Sequence, residues 1–134
     1  MAMGSLERFT PYVLSILRIV TALIFIAHGT QKLFGFPALP PSGSTVAIFS
    51  LYGAAALMEV ILGPLVLVGL FTRPAAFLLS GEMAVAYWYS HAPRSVYPLL
   101  NGGDAAILYC FVFLFIAFAG PGPLSLDRLL RKVR

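Results

Sequence analysis

Four apolar runs, each close to the length of a bilayer crossing, constrain this 134-residue chain more than any other feature. They cover residues 11–33, 45–71, 74–91 and 103–119. A helix needs about 20 residues to cross the hydrocarbon core. Lipid offers no partner to backbone N–H and C=O groups, so such runs fold as helices rather than open strands. Only 10% of the chain is charged and 60% is hydrophobic, against about 25% charged in a soluble domain. Mean hydropathy is +0.92. Four spans leave no room for a second core. The expectation is one domain over residues 1–134, an all-α integral membrane four-helix up-and-down bundle.

The connectors are equally legible. Gly35 to Ser44 is rich in Pro, Gly and Ser. Thr72-Arg73-Pro74 reads as a tight turn that makes the second and third spans antiparallel neighbours. Ala92 to Gly102 links the third and fourth, and Gly120-Pro121-Gly122-Pro123 stops the fourth. Thr10 and Thr72 are expected as N-caps, with Pro11 and Pro74 opening the first turns. Gly63-Pro64 is expected to kink the second span. The first run carries Arg18 and lacks a small-x-small cleavage site, so it reads as a retained span.

Charge assigns the sides. Arg8, Arg73, Arg128, Arg131, Lys132 and Arg134 share one side, and Lys32 and Arg94 the other. The positive-inside rule then makes both termini cytoplasmic. The net charge of +4 is scattered outside the tail, which argues against nucleic acid and for topology or anionic headgroups. The single cysteine, Cys110, excludes an intrachain disulfide and a self-contained dithiol centre. It reads as a packing residue.

Ionisable residues within or beside these runs are the functional signal: Arg18, His28, Glu59, Glu82 and Asp104. A charge at bilayer depth costs at least about 2.5–3.5 kcal/mol. From the cytoplasmic ends, Arg18 lies about 10 Å deep, Glu82 about 12 Å and Glu59 about 18 Å. One guanidinium facing two carboxylates is the expected arrangement. His28, Gln31, Lys32, His91, Asn101 and Asp104 gather toward the outer side. Asp104 suits the first turn of a helix, and Asn101 can cap it. Tyr87, Trp88, Tyr89 and Tyr97 lie between the two layers. Together they predict a cavity that opens outward and descends to Glu59 and Glu82. Each residue also has a plainer role. Arg18 with Glu82 can be a structural ion pair. Lys32 and Arg94 can snorkel, and the aromatics can form an interfacial belt. His28 and His91 can be satisfied by local hydrogen bonds. Axial haem ligation by the two histidines has no second feature behind it. The sequence has no zinc pattern, no phosphate loop and no nucleophile elbow, so no metal site is expected.

Several motifs resemble one known family. His28-Gly29-Thr30-Gln31-Lys32-Leu33-Phe34-Gly35 closes the first span. Met58-Glu59-Val60-Ile61-Leu62-Gly63 and Gly69-Leu70-Phe71-Thr72-Arg73 follow. Then come Gly81-Glu82-Met83-Ala84-Val85-Ala86-Tyr87 and Tyr97-Pro98-Leu99-Leu100-Asn101-Gly102-Gly103-Asp104. Gly120-Pro121-Gly122-Pro123-Leu124-Ser125-Leu126-Asp127 completes the set. In this order they resemble the DoxX family over nearly the whole chain. Asp104 stands where that family more often has Glu. The resemblance implies a small four-span protein of a bacterial-type inner membrane, commonly labelled a putative oxidoreductase. Some relatives are membrane subunits of thiosulfate:quinone oxidoreductase.

Two main readings of function follow. In the redox reading, the chain is a quinone-linked accessory or membrane subunit. Glu59 and Glu82 relay protons, which buried carboxyls can exchange near neutral pH. His28, Lys32, Tyr87, His91, Asn101 and Asp104 are the ligand-binding candidates. Electrons come from a redox partner subunit or a bound cofactor. In the other reading the chain is a non-enzymatic scaffold, alone or as a homo-oligomer, and the polar cluster fixes helix packing. A small transporter is a weaker third reading, without a broken-helix signature.

Overall fold

Apolar runs that must satisfy their own backbone become helices, and the order of those helices sets where the polar residues meet. The computed structural model describes residues 2–133. Its helices are α1 (Ala2–Glu7), α2 (Thr10–Phe34), α3 (Leu51–Val68), α4 (Thr72–Ala86), α5 (Pro98–Asn101), α6 (Asp104–Ala119) and α7 (Leu126–Val133). A π-helical turn over Tyr87–His91 and a 3₁₀ turn over Ala92–Arg94 extend α4. Among the described residues there is no strand. The four long helices form an all-α bundle in which α2 packs mainly on α3, and α4 mainly on α6. The α3–α4 contact joins the two pairs, while α2 touches α6 only lightly. Of the described helices, α2 and α3 are long and apolar enough by themselves to cross a membrane.

Small residues bring α2 and α3 together. A Cβ on Gly29 would meet Glu59 Cβ and Val60 Cγ1 at 2.8 Å, and one on Gly63 would meet Ile26 Cγ1 at 2.7 Å. Close backbone approach of this kind is the usual means of helix association in lipid. Between α4 and α6, Ser80 Oγ donates to Cys110 O at 2.7 Å. Phe25, Leu79, Phe113 and Ile116 fill the core and are essentially inaccessible.

Three helix ends differ from expectation. Helix α3 begins at Leu51 rather than near Thr45. Ser50 caps it: its Oγ accepts from Gly53 N at 3.0 Å and donates to Ala47 O at 2.6 Å. A satisfied cap thus outweighs the apolar run Val46-Ala47-Ile48-Phe49, which hydropathy alone assigns to the span. Neither Thr10 nor Thr72 is an N-cap; those positions fall to Phe9 and Phe71, without a side-chain bond of their own. The N-terminus of α4 is instead capped from α7. Asp127 accepts from Phe71 N and Thr72 N, each at 3.0 Å. Phe71, held in the left-handed region at φ 48°, completes this turn. Burial alone would raise the Asp127 carboxyl, but the bonds from Thr72 and Phe71 and the nearby Arg131 outweigh it. They hold the carboxyl below its ordinary range.

Arg18 is fully buried, but it does not pair with Glu82. Its Nε donates to Pro121 O at 2.8 Å, and Nη1 to Val66 O and Leu67 O at 2.6 and 2.5 Å. Nη2 donates to Leu124 O. The expected ion pair is therefore replaced by four carbonyls. Helix ends supply the reason: Val66 and Leu67 lie in the last turn of α3, where carbonyls run short of helical donors, and Val66 O has only a 3.2 Å cap bond from Gly69 N. Glu59 is seven residues earlier on α3, about 10 Å along the axis. Arg73 does similar work on α6, donating to Ala117 O and Phe118 O at 3.1 and 2.5 Å. These bonds close one end of the bundle. Arg134, counted above with the tail, lies outside the described residues.

Candidate functional site

The other end of the bundle is open. There α2 ends, α3 begins, α4 passes into its π-helical turn, and α6 begins. A cavity of about 570 Å³ enters between them. Its rim includes Leu51, Tyr52, Ser90, His91 and Gly102, and its floor reaches Glu59, Glu82 and Met83. This volume lies within the range of about 300–1,000 Å³ usual for small-molecule sites.

Glu59 is fully buried. Lys32, in the last turn of α2, reaches it: Nζ lies 2.6 Å from Oε1. This is the one salt bridge among the described residues. It joins two elements already in close contact at Gly29, so helix packing and charge pairing support each other. Glu59 Oε2 and both carboxyl oxygens of Glu82 are buried without a hydrogen-bond partner among the described residues. Glu82 lies within electrostatic reach of both Glu59 and Lys32. The floor thus holds two carboxyls and one ammonium.

Aromatic rings form the walls. Phe25 meets Tyr109 and Phe113 edge-on at 5.1 and 4.9 Å. His28 meets Tyr109 at 5.6 Å. Tyr52 and Tyr89 contact edge-to-face at 6.3 Å, and Tyr52 Oη lies 3.1 Å from Ser90 Oγ. His28 Nδ1 is 3.3 Å from Ile24 O, which leaves the rest of its ring for the cavity it lines.

Of the residues singled out from sequence, His28, Lys32, Glu59, Glu82, Tyr89 and His91 converge on this cavity, whereas Trp88 and Tyr97 do not line it. Tyr87 and Asn101 do not line it. They fold the connection instead: Asn101 Nδ2 donates to Tyr87 Oη at 3.3 Å and to Ser95 O at 3.0 Å, and Oδ1 accepts from Gly103 N at 2.8 Å. His91 Nδ1, 3.0 Å from Asn101 O, ties this clasp to the rim. Asp104 opens α6 but is exposed and does not line the cavity. Sequence reasoning passed over Tyr52, Ser90 and Tyr109. The signal for Tyr109 was available: a phenol in the middle of an otherwise apolar span needs a polar neighbour. Tyr52 reaches the mouth of the cavity because α3 begins at Leu51 rather than near Thr45, which puts it in the first turn.

Comparison with known proteins is consistent with this architecture. A model of the DoxX family matches residues 13–92. An uncharacterized protein of Haemophilus influenzae is 41% identical over 128 residues, covering 93% of this chain and 96% of the relative. The inner membrane protein YphA of Escherichia coli is 33% identical, covering 88% and 90%. The uncharacterized membrane protein Rv3486 of Mycobacterium tuberculosis is 30% identical, covering 87% and 80%. No solved structure matches the chain significantly.

Proposed function

The chain belongs to the DoxX family of membrane proteins, and from the chemistry of its cavity we propose that it is a quinone-linked redox accessory acting with a partner. One observation carries this reading: a carboxyl without donors, Glu82, at the floor of an aromatic cavity beside a Lys32–Glu59 pair. A quinone head has two acceptor oxygens on a flat apolar ring. Aromatic walls suit the ring, and His28, Lys32 and Tyr109 can donate to its oxygens. Reduction to the quinol consumes two electrons and two protons. The electrons come from a redox partner subunit, and the protons pass through Glu82 and Glu59.

The same reading sets the chain in a bacterial-type inner membrane with both termini cytoplasmic. Support comes from Arg8, Arg73, Arg128, Arg131 and Lys132, which collect toward the closed end, while the cavity opens at the other. The test is mass spectrometry of small molecules that co-purify with the gently solubilised protein. Quinone at near one per chain, reduced at least several-fold in a folded Glu82→Gln variant, is the expected result. Quinone content equal in the two proteins would overturn the role of Glu82. An undetectable content, together with no binding of added short-chain quinone, would leave Lys32–Glu59 as a packing device in a scaffold.

A further inference from the structure

The floor of the cavity holds two carboxyls and one cation, and Glu82 is close enough to Glu59 for the two to share a proton. Lys32 is committed to Glu59 Oε1, and no hydrogen bond from it reaches Glu82. Glu59 is 0% exposed, yet its second oxygen also lacks a donor. His28 is turned toward Ile24 O and Tyr109, and His91 toward Asn101 O. Arg18 is spent on four carbonyls at the far end. No cation of the described chain therefore satisfies Glu82, although the cavity gives it space in which to receive one.

We propose that this cavity binds a lipophilic amine, whose ammonium pairs with Glu82 as Lys32 pairs with Glu59. An amine arriving uncharged through the lipid takes the Glu82 proton. The product is an ammonium beside a carboxylate, so the proton balance closes within the site. Hydrogen bonds between ions are the strong ones, and a dry cavity favours them further. Tyr109, which lines the cavity within electrostatic reach of Glu59, can add an aromatic ring to the cation's surroundings. The apolar remainder of the ligand lies against Phe25, Met58 and Met83. An anionic ligand is disfavoured, since two carboxyls face it against one ammonium that is already paired.

This inference stands on the charge count and not on the quinone reading, because a neutral quinone needs no counter-charge. The experiment compares two near-isosteric probes, phenylbutylamine and phenylbutanol, by equilibrium dialysis against the full detergent-solubilised chain. A hydrogen bond to a charged group contributes about 1.5–3 kcal/mol, so the amine is expected to bind roughly ten- to a hundred-fold more tightly than the alcohol. Glu82→Gln is expected to erase that preference. Glu59→Gln is expected to weaken the amine as well, by releasing Lys32 to Glu82. Equal binding of the two probes to the wild-type protein overturns the proposal, and this comparison needs no variant to fold. So does an undiminished preference in Glu82→Gln. Short-chain quinone binding, measured in the same samples, scores the quinone reading separately.

Discussion

The Lys32–Glu59 pair is where a single residue matters most. Glu59 has no solvent to fall back on, and its partner stands 2.6 Å away. Removing one member of a buried pair is far more costly than replacing both, because the survivor keeps its desolvation cost. Lys32→Met is therefore expected to destabilise the protein by about 3–5 kcal/mol. The double change Lys32→Met with Glu59→Gln should recover much of that loss. A double-mutant cycle on thermal unfolding in detergent checks this; additive losses would show that the pair has no coupling. Gly29 is the second sensitive position, since a Cβ there would press on Glu59 Cβ and Val60 Cγ1 at 2.8 Å. Gly29→Ala is expected to cost about 1–3 kcal/mol, the usual range for overpacking, read on the same unfolding transition. The ionisable residues were legible in sequence because lipid makes each of them expensive. Their partners were not, because depth along a helix can be counted while the direction a side chain faces depends on how neighbours pack. Arg18 shows the limit: counting residues set it level with Glu82, but it lies at the closed end, where carbonyls at the end of α3 and after α6 are nearer than any carboxylate.

Between elements, the closed end is held by side chains that complete the ends of helices other than their own. Asp127 on α7 caps α4, Arg73 on α4 caps α6, and Arg18 on α2 joins α3 to the segment after α6. Long apolar helices were readable from hydropathy, but these caps were not. A residue that caps a distant helix carries no local spacing signal, whereas Ser50, which caps its own helix, does. The cap on α4 has a pH signature. The folded-state carboxyl of Asp127 is held below its ordinary value, so its contribution is fully present above the unfolded value of about 3.9. It is lost as pH falls from there through the folded value. Asp127→Asn is expected to lower stability by about 0.5–2 kcal/mol near neutral pH. The loss should shrink as the medium is acidified below about pH 4. Melting temperature against pH for both proteins checks this, and a constant gap down to acid pH would place the contribution elsewhere.

At the scale of the whole molecule, the two ends of the bundle differ in kind. One is sealed by guanidinium–carbonyl and carboxylate–amide bonds and carries most of the positive charge, whereas the other opens into a cavity. That asymmetry gives the protein a direction. The cavity is lined by Tyr52, Ser90 and His91 near the helix ends and by Glu59 and Glu82 deeper in the bundle, while Arg18 is bonded to carbonyls at the other end. With the positive end inside, as proposed above, ligands and protons would exchange with the outer face or the outer lipid leaflet. Single-cysteine variants in a Cys110→Ser background test the direction. Ser42, exposed in the segment after α2, marks the open end, and Gly4, with no side chain packed against it, marks the closed end. A membrane-impermeant maleimide is expected to label Ser42→Cys in intact cells and Gly4→Cys only after permeabilisation. The opposite pattern would invert the orientation. The cavity would then face the cytoplasm, and its protons and any partner that supplies electrons would be drawn from that side.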